Sequence, residues 1–315
     1  MSKVKEGLIF LGVVLVLVGA FFSIMRLTSS KTHQEVSPTV SKKQAQVKAK
    51  KVPSISLYAL GDSLTHGVGD TSNRGGYVYL VKQKLEHQNQ VKVTSHNYGK
   101  TGDRSDQIQA RLEKSKQMQA ELKQADIITL TVGGNDMMKV LQDNFLLLAN
   151  NKLAGAMPKA KEDYRLKLTS LFKTIRHYNE DAPIFLISIY NPFYVYFPTL
   201  TDLQKYTNQW NVLAKQVAKR DGNTYFVDVN QQLSEGQYLG QDKKRLIKES
   251  KLNLNSVSST KLEDILSDQK EKNNYLSDAN HFHPNDKGYR YMTKELYQVM
   301  MAHKDKWLKE DKYGG

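Results

Sequence analysis

The first candidate for chemistry is Ser63, which lies in the stretch 57–70, LYALGDSLTHGVGD. Ile55–Leu60 is β-branched, aromatic and aliphatic, and Gly61 and Asp62 end this pattern, so a strand is predicted to finish just before the serine. A serine between a parallel strand and a helix places its hydroxyl in the crevice above the sheet. Such a hydroxyl becomes a nucleophile when an imidazole accepts its proton. Taken alone, Gly-Asp-Ser is also typical of a helix cap or a turn.

Three further polar segments are predicted to lie at strand ends or at the start of the last helix. They are 97–103 (NYGKTGD), 133–136 (GGND) and 283–285 (HPN). Each has an ordinary structural interpretation, because glycines make turns, asparagine caps helices and histidine before proline is usual in loops. In a doubly wound sheet, however, the carboxyl ends of the strands converge on one crevice. The four segments together therefore predict a single site.

The elements that must position these residues alternate along the chain. Five apolar segments predict strands, and five segments with helical spacing separate or follow them. Strands are predicted at 55–60, 91–98, 126–132, 183–189 and 224–229, and helices at 77–85, 106–122, 161–178, 203–220 and 286–303. This alternation predicts an α/β domain with a parallel sheet covered on both faces. Residues 231–276 are polar and fit the pattern poorly, so they are interpreted as an insertion or a mobile loop ahead of the last active-site segment.

Together, the four segments resemble the SGNH (GDSL) family of serine esterases and lipases, over about Ile55 to His303. The resemblance implies a doubly wound, flavodoxin-like three-layer sandwich with a mainly five-stranded parallel sheet. It implies that Ser63 is the nucleophile and His283 the base. The oxyanion hole would consist of the backbone N–H groups of Ser63 and Gly102 and the side-chain amide of Asn135. The substrate would be an acyl ester of a lipid or an O-acylated glycan, cleaved through an acyl-enzyme without a cofactor or metal.

One position departs from the family pattern, in which an aspartate usually lies three residues before the histidine and orients it. Asn280 occupies this position here. Three interpretations stay open: Asn280 orients His283 through its side-chain oxygen, Asp278 does so through a bent loop, or the enzyme has lost activity. A catalytically impaired binding or scaffold protein is therefore one alternative function. A glycan O-acyltransferase, which uses the same residues, is another.

Other residues near these segments have weaker claims. His66 follows Ser63 on the same turn and is interpreted as a wall residue. His281 and His283 flank Phe282, so their side chains are expected to point apart if the chain is extended there. The aromatic segment 190–198 (YNPFYVYFP) is expected to line an acyl or glycan pocket.

Composition limits the remaining possibilities. The chain has 315 residues and no cysteine, which excludes disulfides, thiolate metal sites, a cysteine nucleophile and a lipidated cysteine anchor. The formal net charge is +14, and half of this excess lies in residues 1–52. No basic stripe is interleaved with aromatic residues, so we expect attraction to an anionic envelope or membrane surface rather than a specific nucleic-acid partner.

The N-terminal residues predict a membrane anchor. Residues 7–25 are uncharged and mostly apolar, which is long enough to cross a bilayer as a helix. A cleaved signal peptide is the alternative, although no convincing small-x-small site follows. The predicted organisation is a cytoplasmic stub (1–6), a transmembrane anchor (7–25), a flexible basic linker (26–52) and an extracellular hydrolase domain (53–315). This organisation is most similar to the anchored lipase/acylhydrolases of Gram-positive bacteria.

Overall fold

The computed structural model describes residues 52–144, 153–242, 244, 246–247 and 271–308. Its centre is one parallel sheet with the strand order β2-β1-β3-β4-β5. This is the flavodoxin-like order, in which the chain changes direction between β1 and β3, and it confirms the predicted doubly wound fold. The strands are β1 (Ser54–Gly61), β2 (Lys92–Gly99), β3 (Ile127–Thr131), β4 (Ile184–Ile187) and β5 (Thr224–Val227).

Helices cover both faces of the sheet. They are α1 (Ser63–His66), α2 (Gly76–Asn89), α3 (Ser105–Lys114), α4 (Lys116–Lys123), α5 (Gly134–Asp143), α6 (Met157–Tyr178), α7 (Thr201–Asp221), α8 (Asn230–Glu235) and α9 (Asp286–Ala302), with short 3-10 turns at Leu153–Gly155, Gly236–Tyr238 and Lys304–Lys306. The apolar side chains of α3 to α7 form one core cluster on one face. Those of α2 and α9 form a second cluster on the other. The result is the predicted three-layer sandwich.

The central strands show why their sequences are almost purely apolar. Every residue of β3 (IITLT) and of β4 (IFLI) is buried. A parallel strand packed on both faces has no solvent side, so it reads as an apolar run rather than as an alternating pattern. This burial fixes the ends of β1 and β3 side by side, where the polar segments begin.

Some predicted boundaries are wrong for local reasons. The helix predicted over 106–122 is two helices, α3 and α4, because Ser115 interrupts it and accepts a hydrogen bond from the Met118 N–H. Hydrophobic periodicity does not predict helices α1 and α5, since each begins inside a segment with polar and turn-forming residues. Helix α6 starts at Met157, four residues earlier than expected, and carries a proline in its first turn, where proline is tolerated.

Several predicted segments lie outside the described residues. These are the stub (1–6), the anchor (7–25) and the linker (26–52) except its last residue. Across the part of the chain that the structure describes, every helix is too short or too polar to cross a membrane. The predicted insertion (231–276) is described at both ends, and its first residues continue helix α8, whose Leu233 is buried.

Candidate active site

Ser63 is placed by the turn that joins β1 to α1. Asp62 caps the helix: its Oδ1 accepts a hydrogen bond from the Leu64 N–H at 3.0 Å and another from the Thr131 hydroxyl at 2.8 Å. Burial raises the pKa of Asp62 to about 6, against the opposing effect of these two hydrogen bonds. The capped turn therefore ties the residue before the nucleophile to the end of β3.

A chain of hydroxyl groups locks helix α1 onto the sheet. The Thr65 hydroxyl lies 2.8 Å from the Thr131 hydroxyl and 2.8 Å from the Tyr77 hydroxyl, which in turn lies 3.2 Å from that of Thr129. All four side chains are buried. Because buried polar groups are costly to leave without partners, these hydroxyl contacts hold α1 in one position.

His283 meets Ser63 from the other end of the sequence. Its Nε2 atom lies 2.8 Å from the Ser63 Oγ atom, although 220 residues separate them. Both residues are 5% exposed. Burial lowers the pKa of His283 to about 4, so its imidazole is neutral at neutral pH. A neutral imidazole at this distance can accept the proton of the serine hydroxyl.

Asn135 and Gly102 are held together beside this pair. Asn135 lies in the first turn of α5, and its Nδ2 donates to the Asp103 carbonyl at 2.9 Å. An amide nitrogen carries two N–H groups, so this bond uses one and fixes the direction of the other. Gly102, the residue before Asp103, has a φ of +85°, a left-handed conformation that favours glycine. The two predicted oxyanion donors are therefore part of one structural unit.

Four residues without a predicted role, Asp103, Ser105, Arg111 and Asp136, hold this unit in place. Arg111 bonds the Asp103 carboxylate at 2.6 Å and the Gly61 carbonyl at 3.1 Å. Asp136 accepts from the Ser105 hydroxyl at 2.5 Å and from the Ser105 N–H at 3.0 Å. The sequence indicates a supporting role for Asp103 and Asp136 only through their position, because they directly follow Gly102 and Asn135.

In the loop that carries His283, Asn280 and Asp278 both accept hydrogen bonds from backbone N–H groups. The Asn280 Oδ1 atom accepts hydrogen bonds from the backbone N–H groups of Phe282 at 3.1 Å and of His283 at 2.9 Å. Asn280 thus holds the main chain of His283. An Asp278 oxygen accepts the Glu271 N–H at 2.8 Å, across the base of the loop. These three bonds fix the backbone of the loop, so both residues help to fold it.

Two other histidines near the site make contacts of their own, and His66, interpreted as a wall residue, is not among the residues that line the pocket described below. The exposed His66 is close to the Gly99 carbonyl, with its Nδ1 atom 3.3 Å away. The Nδ1 atom of His281 pairs with Glu271. The chain between the two loop histidines is not simply extended, because His281 has a φ of +57°.

A mostly apolar pocket opens beside Ser63 and His283. It runs along helix α5 and the start of α7, and the first part of the aromatic segment lines it as predicted. Its apolar wall consists of Leu64, Val132, Met137, Met138, Leu141, Ile187, Ile189, Tyr190, Pro192, Phe193, Leu203 and Phe282. Of the predicted site residues, Ser63, Asn135 and His283 line this pocket. Among the described residues, no three His, Asp or Glu side chains gather as a metal site.

Comparisons with known proteins agree with this architecture. The protein YpmR of Bacillus subtilis is 30% identical over 279 residues, which cover 88% of this chain and 93% of YpmR. The spore germination lipase LipC of Bacillus licheniformis is 28% identical over 163 residues, 50% of this chain and 73% of LipC. The crystal structure of the lipase Lip_vut3 from a goat rumen metagenome superposes with a TM-score of 0.56 at 23% identity, covering 78% of this chain and 97% of the lipase.

The family model of the GDSL-like lipase/acylhydrolases matches residues 59–291, a span that includes Ser63, Gly102, Asn135 and His283. The match extends from the end of β1 into α9 and so includes all five strands of the sheet at least in part. The chain belongs to the GDSL-like lipase/acylhydrolase family.

Proposed function

We propose that this protein is a serine ester hydrolase that cleaves acyl esters through an acyl-enzyme on Ser63. The observation that carries the proposal is the 2.8 Å contact between Ser63 Oγ and a buried, neutral His283 beside an apolar pocket. A nucleophile and a base within hydrogen-bond distance are the minimum that acyl transfer to serine needs.

In the first half of the reaction, Ser63 Oγ attacks the ester carbonyl while His283 Nε2 takes the hydroxyl proton. The negative charge that develops on the carbonyl oxygen is stabilised by the N–H groups of Ser63 and Gly102 and by the Asn135 amide. When the tetrahedral intermediate collapses, His283 gives its proton to the leaving alkoxide. In the second half, His283 removes a proton from water, the hydroxide attacks the acyl-enzyme, and Ser63 recovers its proton as the acid leaves.

The pocket indicates which side of the ester it binds. From the polar Asn135, the pocket follows α5 along the apolar Met137 and Met138 to Leu141, six residues further on, which corresponds to about 9 Å at the rise of an α-helix. Burying an alkyl chain against such a wall is favourable for each methylene group. We therefore propose that the pocket takes an apolar acyl chain of medium length, in keeping with a relative named as a lipase.

The test is the turnover of p-nitrophenyl acetate, butyrate and octanoate by the full chain in detergent, with the Ser63→Ala variant as the control. We expect turnover that depends on Ser63 and favours butyrate and octanoate over acetate in kcat/KM. Rates no higher than those of the variant would favour a scaffold protein with an impaired site. Faster ester consumption on adding a glycan acceptor, with acyl-glycan as product, would favour an acyltransferase.

We also propose that residues 7–25 anchor the protein in the cell membrane, with the hydrolase domain on the outside. The support is the uncharged, apolar sequence of this segment between Lys5 and Arg26. Fractionation of the producing cells is expected to place the chain with the membranes, and protease added to intact protoplasts is expected to digest the domain.

A further inference from the structure

Two residues before His283, the imidazole of His281 pairs with the buried carboxylate of Glu271, a contact that the proposed reaction does not use. An oxygen of the Glu271 carboxylate lies 2.5 Å from the Nδ1 atom of His281, and the Glu271 side chain is only 3% exposed. The other carboxylate oxygen accepts the Asn273 N–H at 2.7 Å. A carboxylate this deeply buried requires hydrogen-bond partners, and the His281 imidazole and the Asn273 N–H provide them.

The pair holds a strained part of the backbone. His281 has a φ of +57°, a left-handed conformation that is unfavourable for a residue with a Cβ atom and is kept only when its surroundings enforce it. The His281 N–H donates to the Ser277 carbonyl at 2.8 Å, and the Tyr196 hydroxyl lies 3.1 Å from Nδ1. The contact with Glu271 adds a charged partner that fixes this conformation.

The conformation of His281 determines where the next two residues point. The Phe282 carbonyl accepts a hydrogen bond from the Tyr190 hydroxyl at 2.5 Å, and Phe282 lines the pocket. The His283 carbonyl accepts the Ser277 N–H at 2.8 Å, and its ring contacts Ser63. A rotation of the backbone at His281 would move both residues, so the position of the base depends on this pair.

We propose that Glu271 is a positioning residue for the reaction of Ser63, acting through His281 to keep His283 Nε2 within hydrogen-bond distance of Ser63 Oγ. This inference rests on the proposed function. Asn280, which is uncharged, holds the backbone of this loop. Glu271 provides a negative charge that holds the side chain of His281. Three other charged or titratable groups face the pair among the described residues. The Tyr196 hydroxyl also accepts the Lys272 N–H, the Lys272 ammonium group lies over the Tyr196 ring, and the Asp278 carboxylate accepts the Glu271 N–H.

The matched experiment compares Glu271→Gln with Glu121→Gln. Glu121 makes a similar pair, 2.7 Å from the Nδ1 atom of His96, but this pair lies on β2 and α4 and outside the pocket. In the full chain, we would measure kcat and KM for p-nitrophenyl butyrate, the rate at which a fluorophosphonate labels Ser63, and the melting temperature. Labelling reports on the Ser63–His283 pair without requiring turnover.

Glu271→Gln is expected to lower kcat and the labelling rate about 10- to 100-fold with little change in KM, because small displacements of a catalytic group have effects of this size. Glu121→Gln is expected to match the wild type. His281→Asn removes the imidazole but tolerates the left-handed backbone, so it should reproduce the loss in a folded protein. The double variant should be no worse than either single variant, since the two residues act as a pair.

The outcomes separate the inference from the proposed function. A wild-type protein that neither turns over esters nor is labelled at Ser63 would overturn both. An active wild type whose Glu271→Gln variant is equally active, or changes only in KM, would overturn the positioning role alone. If Glu271→Gln does not fold, the same two readouts on His281→Asn decide the question.

Discussion

The two halves of the site are built in different ways. The nucleophile half (Ser63, Gly102 and Asn135) lies at the ends of β1, β2 and β3, which are adjacent strands of the sheet. The base loop (residues 271–285) approaches from outside the sheet, and the bridge between Leu276 and Pro284 pairs the loop with itself. Side chains on strand ends are positioned by the core, whereas His283 is positioned by hydrogen bonds within its own loop. Substitutions in the nucleophile half should therefore affect stability as well as activity, and those in the base loop mainly activity.

The largest effect should come from the base itself. His283→Ala removes the group that accepts the Ser63 proton, and we expect kcat to fall on the order of 10⁴- to 10⁶-fold. The melting temperature should change little, because the ring lies at the end of a loop. The measurement is turnover of p-nitrophenyl butyrate, with the exposed His66, changed to alanine, as the control. An equal loss in His66→Ala would mean that the base has been assigned to the wrong histidine.

Asn135→Ala should have the next largest effect. It removes one donor to the developing oxyanion and should lower kcat about 100- to 1,000-fold with a smaller effect on KM. It also removes the bond to the Asp103 carbonyl, so the melting temperature should fall as well. A variant with lower stability and unchanged kcat would show that Asn135 only holds the loop after β2.

The same division explains how much of the site could be predicted from the sequence. Ser63, Gly102 and Asn135 follow apolar runs whose strand character is easily recognised, and parallel strands bring their ends together. The contacts of Asn280 and Glu271 could not be predicted in this way. They depend on the path of an irregular loop and on a residue with φ of +57°, which hydrophobic periodicity does not encode. The break of the predicted helix at Ser115 has a related cause, since a single capping hydrogen bond decided it.

Thr131→Val tests the coupling of the nucleophile half to the fold. The change removes the hydroxyl that donates to the buried Asp62 carboxylate and also contacts the Thr65 hydroxyl. Leaving a buried acceptor without this donor should lower the free energy of unfolding by about 1–3 kcal/mol. Thr129→Val, two residues earlier on β3, breaks only a contact with the Tyr77 hydroxyl and should cost less. Urea denaturation of both variants measures the difference, and equal losses would argue against a special role for the Asp62 contact.

In the base loop, Asn280→Ala should lower activity more than stability. It removes the oxygen that accepts two backbone N–H groups, one of them from His283, and should lower kcat about tenfold by loosening the base. Asn280→Asp keeps an oxygen at the same place and should retain activity. The comparison of kcat with the urea midpoint is the test. A large loss of stability in Asn280→Ala would mean that this loop is as tightly coupled to the core as the strand ends are.

The dependence of activity on pH should show whether the base loop keeps water away from His283. Because burial lowers the pKa of His283 to about 4, kcat/KM should stay constant from neutral pH down to about pH 5 and fall tenfold per unit below pH 4. The unfolded chain binds a proton at its histidines near pH 6.5, so His283 should also make the folded state less stable as the pH falls from about 6.5 to 4.

Asp62 has the opposite effect on stability. Burial raises its pKa to about 6, so the folded state keeps a proton that the unfolded state has already lost, and stability falls as the pH rises from about 4 to 6. Asp62→Asn keeps the capping oxygen and should remove this slope while leaving the acid limb of kcat/KM in place. The contrary outcome is that kcat/KM decreases below about pH 6.5 in both the wild type and Asp62→Asn. This would show that His283 titrates in contact with water, and hence that the base loop opens during the reaction while the strand ends stay closed.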